Sequence, residues 1–216
     1  MFTSPAMSDA TPIVFVVDDD DAVRRALTRL IRSAGYSVEC FGSAREFLEY
    51  ESFAQGCACL VLDVGLPDLN GLELQREMNA ENRTLPIIFL TGRGDIAMTV
   101  RAMKAGATDF LSKPVSDMDL LGAIDSALRH SAQAFASRIE VDSIHKRISL
   151  LTPREREVLA LLVEGRLNKQ AACVLGIAEK TVKVHRARVM EKMEVRSVVE
   201  LLRATDKVCI PRTLFH

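Results

Sequence analysis

Four apolar runs in this chain each stop at a polar residue able to do chemistry. Ile13–Val17 ends at Asp18-Asp19, Leu60-Val61-Leu62 at Asp63, Ile87–Leu90 at Thr91, and Phe110-Leu111-Ser112 at Lys113-Pro114. Short apolar runs of this kind read as strands buried on both faces. In an open parallel sheet such stops lie together along the carboxyl edge of the strands, where these folds place their ligands. Three carboxylates, a hydroxyl and an ammonium would then converge. That set can hold Mg2+ (or Mn2+) together with a phosphoryl group, because magnesium favours carboxylate and phosphate oxygens and keeps several waters. Asp18, Asp19 and Asp63 supply the carboxylates. A carboxylate beside the cation can also attack phosphorus and become an aspartyl phosphate, since the cation offsets the repulsion between two anions. Lys113 would pair with a phosphoryl oxygen as a point charge, and Thr91 would donate its hydroxyl to another. A cis bond before Pro114 would aim Lys113 inward.

A second set of candidates lies near the C-terminus, on a stretch from Glu179 to Met193. Val182, Val189 and Met193 recur at helical spacing and suit a core, with Met190 beside them. Lys180, Lys183, Val184, Ala187 and Arg188 share another face. Cations interleaved with small apolar groups suit a DNA major groove, Lys or Arg against guanine and Val or Ala against a thymine methyl. Lys169, His185, Arg186 and Lys192 flank that face as candidate phosphate contacts, which position without specifying. The helix start around Thr181 is a further phosphate site.

The elements that must place these residues follow from periodicity. In the first part, strand-like runs alternate with helical ones. Ala22–Ala34 carries apolar residues at helical spacing and is closed by Gly35; Tyr36–Phe41 reads as a strand; Ser43 with Glu46 makes a capping box for a short helix. Helices are expected over Gly71–Met78, over Ile96–Ala105 before Gly106, and from Asp117 onward, with a strand over Thr108–Leu111. Asp20 and Asp21 fit an acidic helix start. Five such repeats predict an α/β doubly wound, five-stranded parallel sheet over residues 13–130. Residues 131–150 lack strong periodicity and contain no Gly or Pro, and read as a linker that continues the fifth helix for some turns. Residues 151–216 read as all-helical. Thr152, Pro153 and Glu155 start one helix; Lys169–Leu175 and Gly176 form a short helix and turn; the basic helix and Ser197–Ala204 follow. Short helix, glycine turn and longer basic helix make a helix-turn-helix.

Composition agrees with two units that meet different partners. The net charge of -1 hides a split: residues 1–130 carry 12 Lys+Arg and 19 Asp+Glu, whereas residues 131–216 carry 16 and 10. No apolar run approaches the roughly 20 residues of a membrane span. Residues 1–12 read as a disordered leader without the features of a secretory signal, and the five scattered cysteines suit a reducing compartment. A cytoplasmic protein that does not engage a membrane is expected. Cys57-Ala58-Cys59 reads as small buried residues and not as a metal site.

The pieces Val16-Val17-Asp18-Asp19-Asp20, Leu62-Asp63 with Pro67 and Gly71, Thr91-Gly92, Lys113-Pro114 and Met98 to Ala107 occur in order. At these residues the chain resembles a response-regulator receiver domain of the NarL/FixJ kind, a flavodoxin-like fold. Leu151 to Leu159, Asn168-Lys169, Leu175-Gly176-Ile177 and Glu179 to His185 resemble a LuxR-type DNA-binding domain. The resemblance implies phosphotransfer from a sensor histidine kinase to Asp63. It implies a cation on Asp19 and Asp63, with Asp18 acting through water and the Gly65 carbonyl as a further ligand. Phe110 stands where the family has its switch aromatic. A small single helix-turn-helix module has little affinity alone, so a homodimer on phosphorylation is expected to bind an inverted repeat in double-stranded promoter DNA, with RNA polymerase a candidate further partner. A phosphohydrolase with an aspartyl-phosphate intermediate is the rival, but it wants a second Asp two residues after the nucleophile, where this chain has Gly65. The chain is thus expected to be a regulator and not an enzyme.

Overall fold

The computed structural model describes residues 12–50, 57–81, 83–92 and 96–208, with the backbone alone over 96–98. The leader read over residues 1–12 falls, apart from Pro12, outside the described residues. The chain divides into two compact units between Phe135 and Ala136.

The first unit contains β1 (Ile13–Val17), α1 (Asp21–Ser33), β2 (Ser37–Phe41), α2 (Ala44–Glu49), β3 (Ala58–Asp63), α3 (Gly71–Ala80), β4 (Ile87–Thr91), α4 (Ile96–Lys104), β5 (Asp109–Ser112) and the start of α5 (Asp117–Ser149). All strand pairs are parallel, in the order β2-β1-β3-β4-β5. The order reverses between β1 and β3, which opens a crevice at the carboxyl ends of those two strands. Alternate strand residues feed two cores. Phe15, Val17, Leu60, Leu62 and Phe89 pack with Phe47, Leu74 and Met78 on one face. Val14, Val16, Val61, Ile88 and Leu90 pack with Leu27, Ile31, Leu120 and Ile124 on the other. Both faces are covered, which is why these strands are continuous apolar runs.

Helix α5 is unbroken to Ser149, so the stretch read as linker is helical almost to its end. The second unit adds α6 (Pro153–Val163), α7 (Asn168–Leu175), α8 (Glu179–Lys192) and α9 (Val198–Lys207). Its core joins Val158, Leu159, Leu162, Val189, Met193 and Leu201 with Ile144 and Leu151. Ile144 therefore makes the tail of α5 a structural part of this unit. Arg147 supports the same packing, donating to the Met193 carbonyl at 3.3 Å and pairing with Glu194 at 3.0 Å. Gly176 ends α7 at φ 63°, a left-handed conformation that glycine adopts without a Cβ clash, and this sets the turn into α8.

Candidate functional site

Strand register carries the acidic residues to one edge. Val17 pairs with Leu62, so Asp18 and Asp63 follow at the same level on neighbouring strands. Thr91 ends β4 opposite Ser112, and Lys113 comes next. Asp18, Asp19 and Asp63 offer carboxylate oxygens that all lie within 4.8 Å of one another. Asp18 is 1% exposed and Asp63 8%, whereas Asp19 is exposed. Lys113 Nζ lies 2.6 Å from Asp18 Oδ2 and 3.2 Å from Asp63 Oδ2. Burial alone would lower the Lys113 ammonium, but hydrogen bonding and charge from Asp18 and then Asp63 outweigh it and raise its pKa. The Lys113–Pro114 bond is cis.

The loops beyond these strands are held by further side chains. Asp18 Oδ1 accepts from the Asp20 N–H at 2.9 Å. Asp20 caps α1, accepting from Ala22 at 2.7 Å and Val23 at 3.3 Å. Gly65 is exposed; its N–H donates to Asp63 Oδ1 at 3.3 Å, and a Cβ there would sit 3.8 Å from Asp63 Oδ2. Asp68 reaches across to α2, accepting from the N–H groups of Ala44 at 3.4 Å and Arg45 at 3.0 Å. Partial burial pushes the Asp68 carboxyl up, but the backbone donors pull it below its ordinary value. Thr91 is buried at the site edge. Phe110 is half-buried against the first core, its ring 6.1 Å from that of Phe89.

Gly71 stands at the start of α3 for want of room. A Cβ there would lie 2.9 Å from the Asp63 carbonyl oxygen and 3.2 Å from both Phe89 Cε1 and Val64 Cα. Two of these are backbone atoms, which cannot swing aside. Gly71→Ala is expected to cost about 2 kcal/mol through overpacking, read as a lower urea midpoint for the first unit, and to weaken cation binding as the Asp63 strand end shifts.

In the second unit, Val182, Val189 and Met193 are fully buried, while Lys180, Thr181, Lys183, Val184, Ala187 and Arg188 are exposed along α8. Val184 is 47% exposed. Lys183 pairs with Glu179 at 3.1 Å. Lys169 is exposed on α7; Arg186 donates to Asn168 Oδ1 at 3.1 Å and so ties α8 to α7. His185 is half-buried, with Nδ1 buried and unbonded among the described residues. Lys192 is drawn away from the basic face: its ammonium donates to Glu155 Oε2 at 2.7 Å and to the Leu150 carbonyl at 3.1 Å. That engagement competes with any phosphate contact. Sequence reasoning took Glu155 only as a capping residue and missed this pair, which spans 37 residues and leaves no local signal.

Residues 14–125 match the family model for the response regulator receiver domain. The chain belongs to the response-regulator family. Residues 149–205 match the model for bacterial regulatory proteins of the luxR family, so this response regulator is of the NarL/FixJ type with a helix-turn-helix DNA-binding domain. The response regulator protein TodT of Pseudomonas putida is 45% identical over 202 residues, which is 94% of this chain and 88% of that one. Nodulation protein W of Bradyrhizobium diazoefficiens is 48% identical, over 92% of this chain and 87% of that one. The solved structure of the response regulator StyR is 48% identical, with a TM-score of 0.82, over 92% of this chain and 100% of that one. A receiver implies a kinase partner, and a helix-turn-helix implies DNA. This response regulator has no helix, among the described residues, long and apolar enough to cross a membrane.

Proposed function

We propose that a sensor histidine kinase phosphorylates this response regulator on Asp63, and that the phosphorylated form dimerises and binds promoter DNA to regulate transcription. The observation that carries this reading is the convergence of Asp18, Asp19 and Asp63 within 4.8 Å, with Lys113 bridging Asp18 and Asp63. The donor set fits a hard divalent ion, Mg2+ or Mn2+, because every available ligand is an oxygen. Asp19 and Asp63 would hold it directly, Asp18 through water, and the Gly65 carbonyl would complete the set. When bound, such an ion neutralises phosphoryl charge.

The protein's own residues do the rest. A carboxylate oxygen of Asp63 bonds to phosphorus as the bond from phosphorus to the kinase histidine nitrogen breaks, the electron pair leaving with the imidazole. Lys113, already charged and poised against Asp63, pairs with a phosphoryl oxygen. Thr91 turns its hydroxyl to another, and Phe110 repacks against β4 to report the change. Gly65 leaves the approach to Asp63 open.

In the second unit, Lys180, Lys183, Val184, Ala187 and Arg188 read the major groove, while Thr181, Lys169, His185 and Arg186 contact phosphates. A single small module binds weakly, so paired half-sites in an inverted repeat supply the affinity. RNA polymerase is the expected further partner at the promoter, and the cytoplasm the place of action. Acetyl phosphate with Mg2+ should label the protein, and the label should footprint with the DNA-bound form; chelating the cation should stop both. Labelling that persists in excess chelator would refute the cation-dependent reading.

A further inference from the structure

We propose that Arg24 is a positioning residue for the cation site, a proposal that rests on the cation-binding reading above. Its guanidinium spans two groups of the acidic loop. Nη1 donates to the backbone carbonyl of Asp18 at 2.6 Å, and Nη2 pairs with Asp21 Oδ1 at 3.0 Å. The side chain is only 20% exposed.

The Asp18 carbonyl and the Asp19 N–H belong to one planar peptide unit. Fixing that oxygen therefore fixes the direction in which the Asp19 Cα leaves the loop. Asp19 needs this help. Its side chain is exposed and makes no hydrogen bond or ion pair among the described residues, whereas Asp18 is held at both oxygens by Asp20 and Lys113. Arg24 on one side and the Asp20 N–H on the other thus fix the backbone from which Asp19 projects, the one carboxylate of the trio with no side-chain partner of its own among the described residues.

The place of Arg24 is set by the end of the β1–β2 ladder. Asp18 N–H still donates to Phe41 at 3.3 Å. Beyond it, side chains replace the ladder: Glu46 takes the Gly42 N–H at 2.7 Å and Arg24 takes the Asp18 carbonyl. Both converge over Gly42, where a Cβ would lie 3.6 Å from Arg24 Nη1 and 3.6 Å from Glu46 Oε2. A planar fork reaches two acceptors at once, which a lysine ammonium in the same place cannot reproduce.

Charge and geometry make opposite predictions, and this separates them. Removing a cation beside four consecutive aspartates should, by Coulomb attraction alone, tighten divalent-ion binding. Loss of positioning should weaken it. The experiment is titration of Mn2+ and of Mg2+ into the full-length protein by calorimetry, with Arg24→Gln, Arg24→Lys and the control Arg25→Gln, whose guanidinium pairs with Asp21 and not with the Asp18 carbonyl. The same proteins are labelled with acetyl phosphate across a range of Mg2+. Arg24→Gln should raise the dissociation constant about tenfold and shift half-maximal labelling to correspondingly higher Mg2+, while the rate at saturating Mg2+ stays within about twofold of wild type. Arg24→Lys, which keeps the charge and serves if the Gln variant does not fold, should show most of the same loss. Arg25→Gln should bind as wild type does or more tightly. Unchanged or tighter binding in both Arg24 variants would overturn the positioning role while leaving the cation site intact; a wild-type protein that binds neither ion would overturn the site itself and the positioning role with it.

Discussion

Asp63→Asn should abolish covalent phosphate uptake while leaving the chain folded. The amide keeps the shape and polarity of the carboxylate but is no nucleophile toward phosphorus. Lys113 retains its 2.6 Å contact with Asp18, so the ammonium is not stranded. The first unit should therefore unfold within about 1 kcal/mol of wild type, because the amide oxygen can still accept from Lys113 and relieves the crowding of like charges with Asp18. Cation affinity should fall, because one of three carboxylates is lost. DNA affinity should become indifferent to acetyl phosphate. Intact-mass and peptide-mapping spectrometry check the first result, and gel-shift titration the last. Phosphate found on another side chain of the variant would show that Asp63 is not the acceptor.

The second large effect concerns stability of the DNA-binding unit. Glu155 is 2% exposed and closes a capping box with Thr152, accepting the Thr152 N–H at 2.8 Å while Thr152 Oγ1 accepts the Glu155 N–H. The hydrogen bond from Lys192, with help from the Thr152 backbone, holds its carboxyl down at about 2, well below the ordinary 4.5. Glu155→Ala removes the cap and leaves the Lys192 ammonium with only the Leu150 carbonyl. A loss of about 3 kcal/mol is expected. For a unit of this size that lowers the Tm on the order of 15 °C. The pH dependence has a definite sign. A carboxyl depressed in the folded state stabilises fully above its unfolded value and loses that contribution as pH falls from about 4.5 through 2. Wild type should therefore lose stability through that window, and Glu155→Gln should lose less there. Thermal unfolding followed by circular dichroism across pH 2–6 checks both; equal slopes for the two proteins would remove Glu155 as the cause.

Much of this architecture was written in local patterns. Apolar runs buried on two sides, Thr152 with Pro153 and Glu155, and glycines after helices all act within a few residues, so spacing alone exposes them. The box read at Ser43 forms only in half, since Ser43 caps the Glu46 N–H but the Glu46 carboxylate takes the Gly42 N–H instead. The acidic site was legible for the same reason: Asp18, Asp63 and Thr91 each close a short apolar run that the fold buries as a strand, Lys113 follows the less buried β5, and parallel strands bring their ends to one edge. The exposed stripe of α8 followed from helical periodicity, because Val182 and Val189 must face inward and the cations then cannot.

What tertiary structure decided are the contacts between residues distant in the chain. Asp68 caps a helix that begins 24 residues earlier, Glu155 captures Lys192 from a prospective DNA-facing set, and Ile144 draws the end of α5 into the second core. No spacing rule anticipates these, since they depend on which loops the folded sheet and bundle bring together. The amino-acid order by itself determined which chemistry is available and on which elements it sits. The fold decided which of those side chains remain free to perform it, because a charge that finds a nearer partner on folding is no longer offered to a ligand.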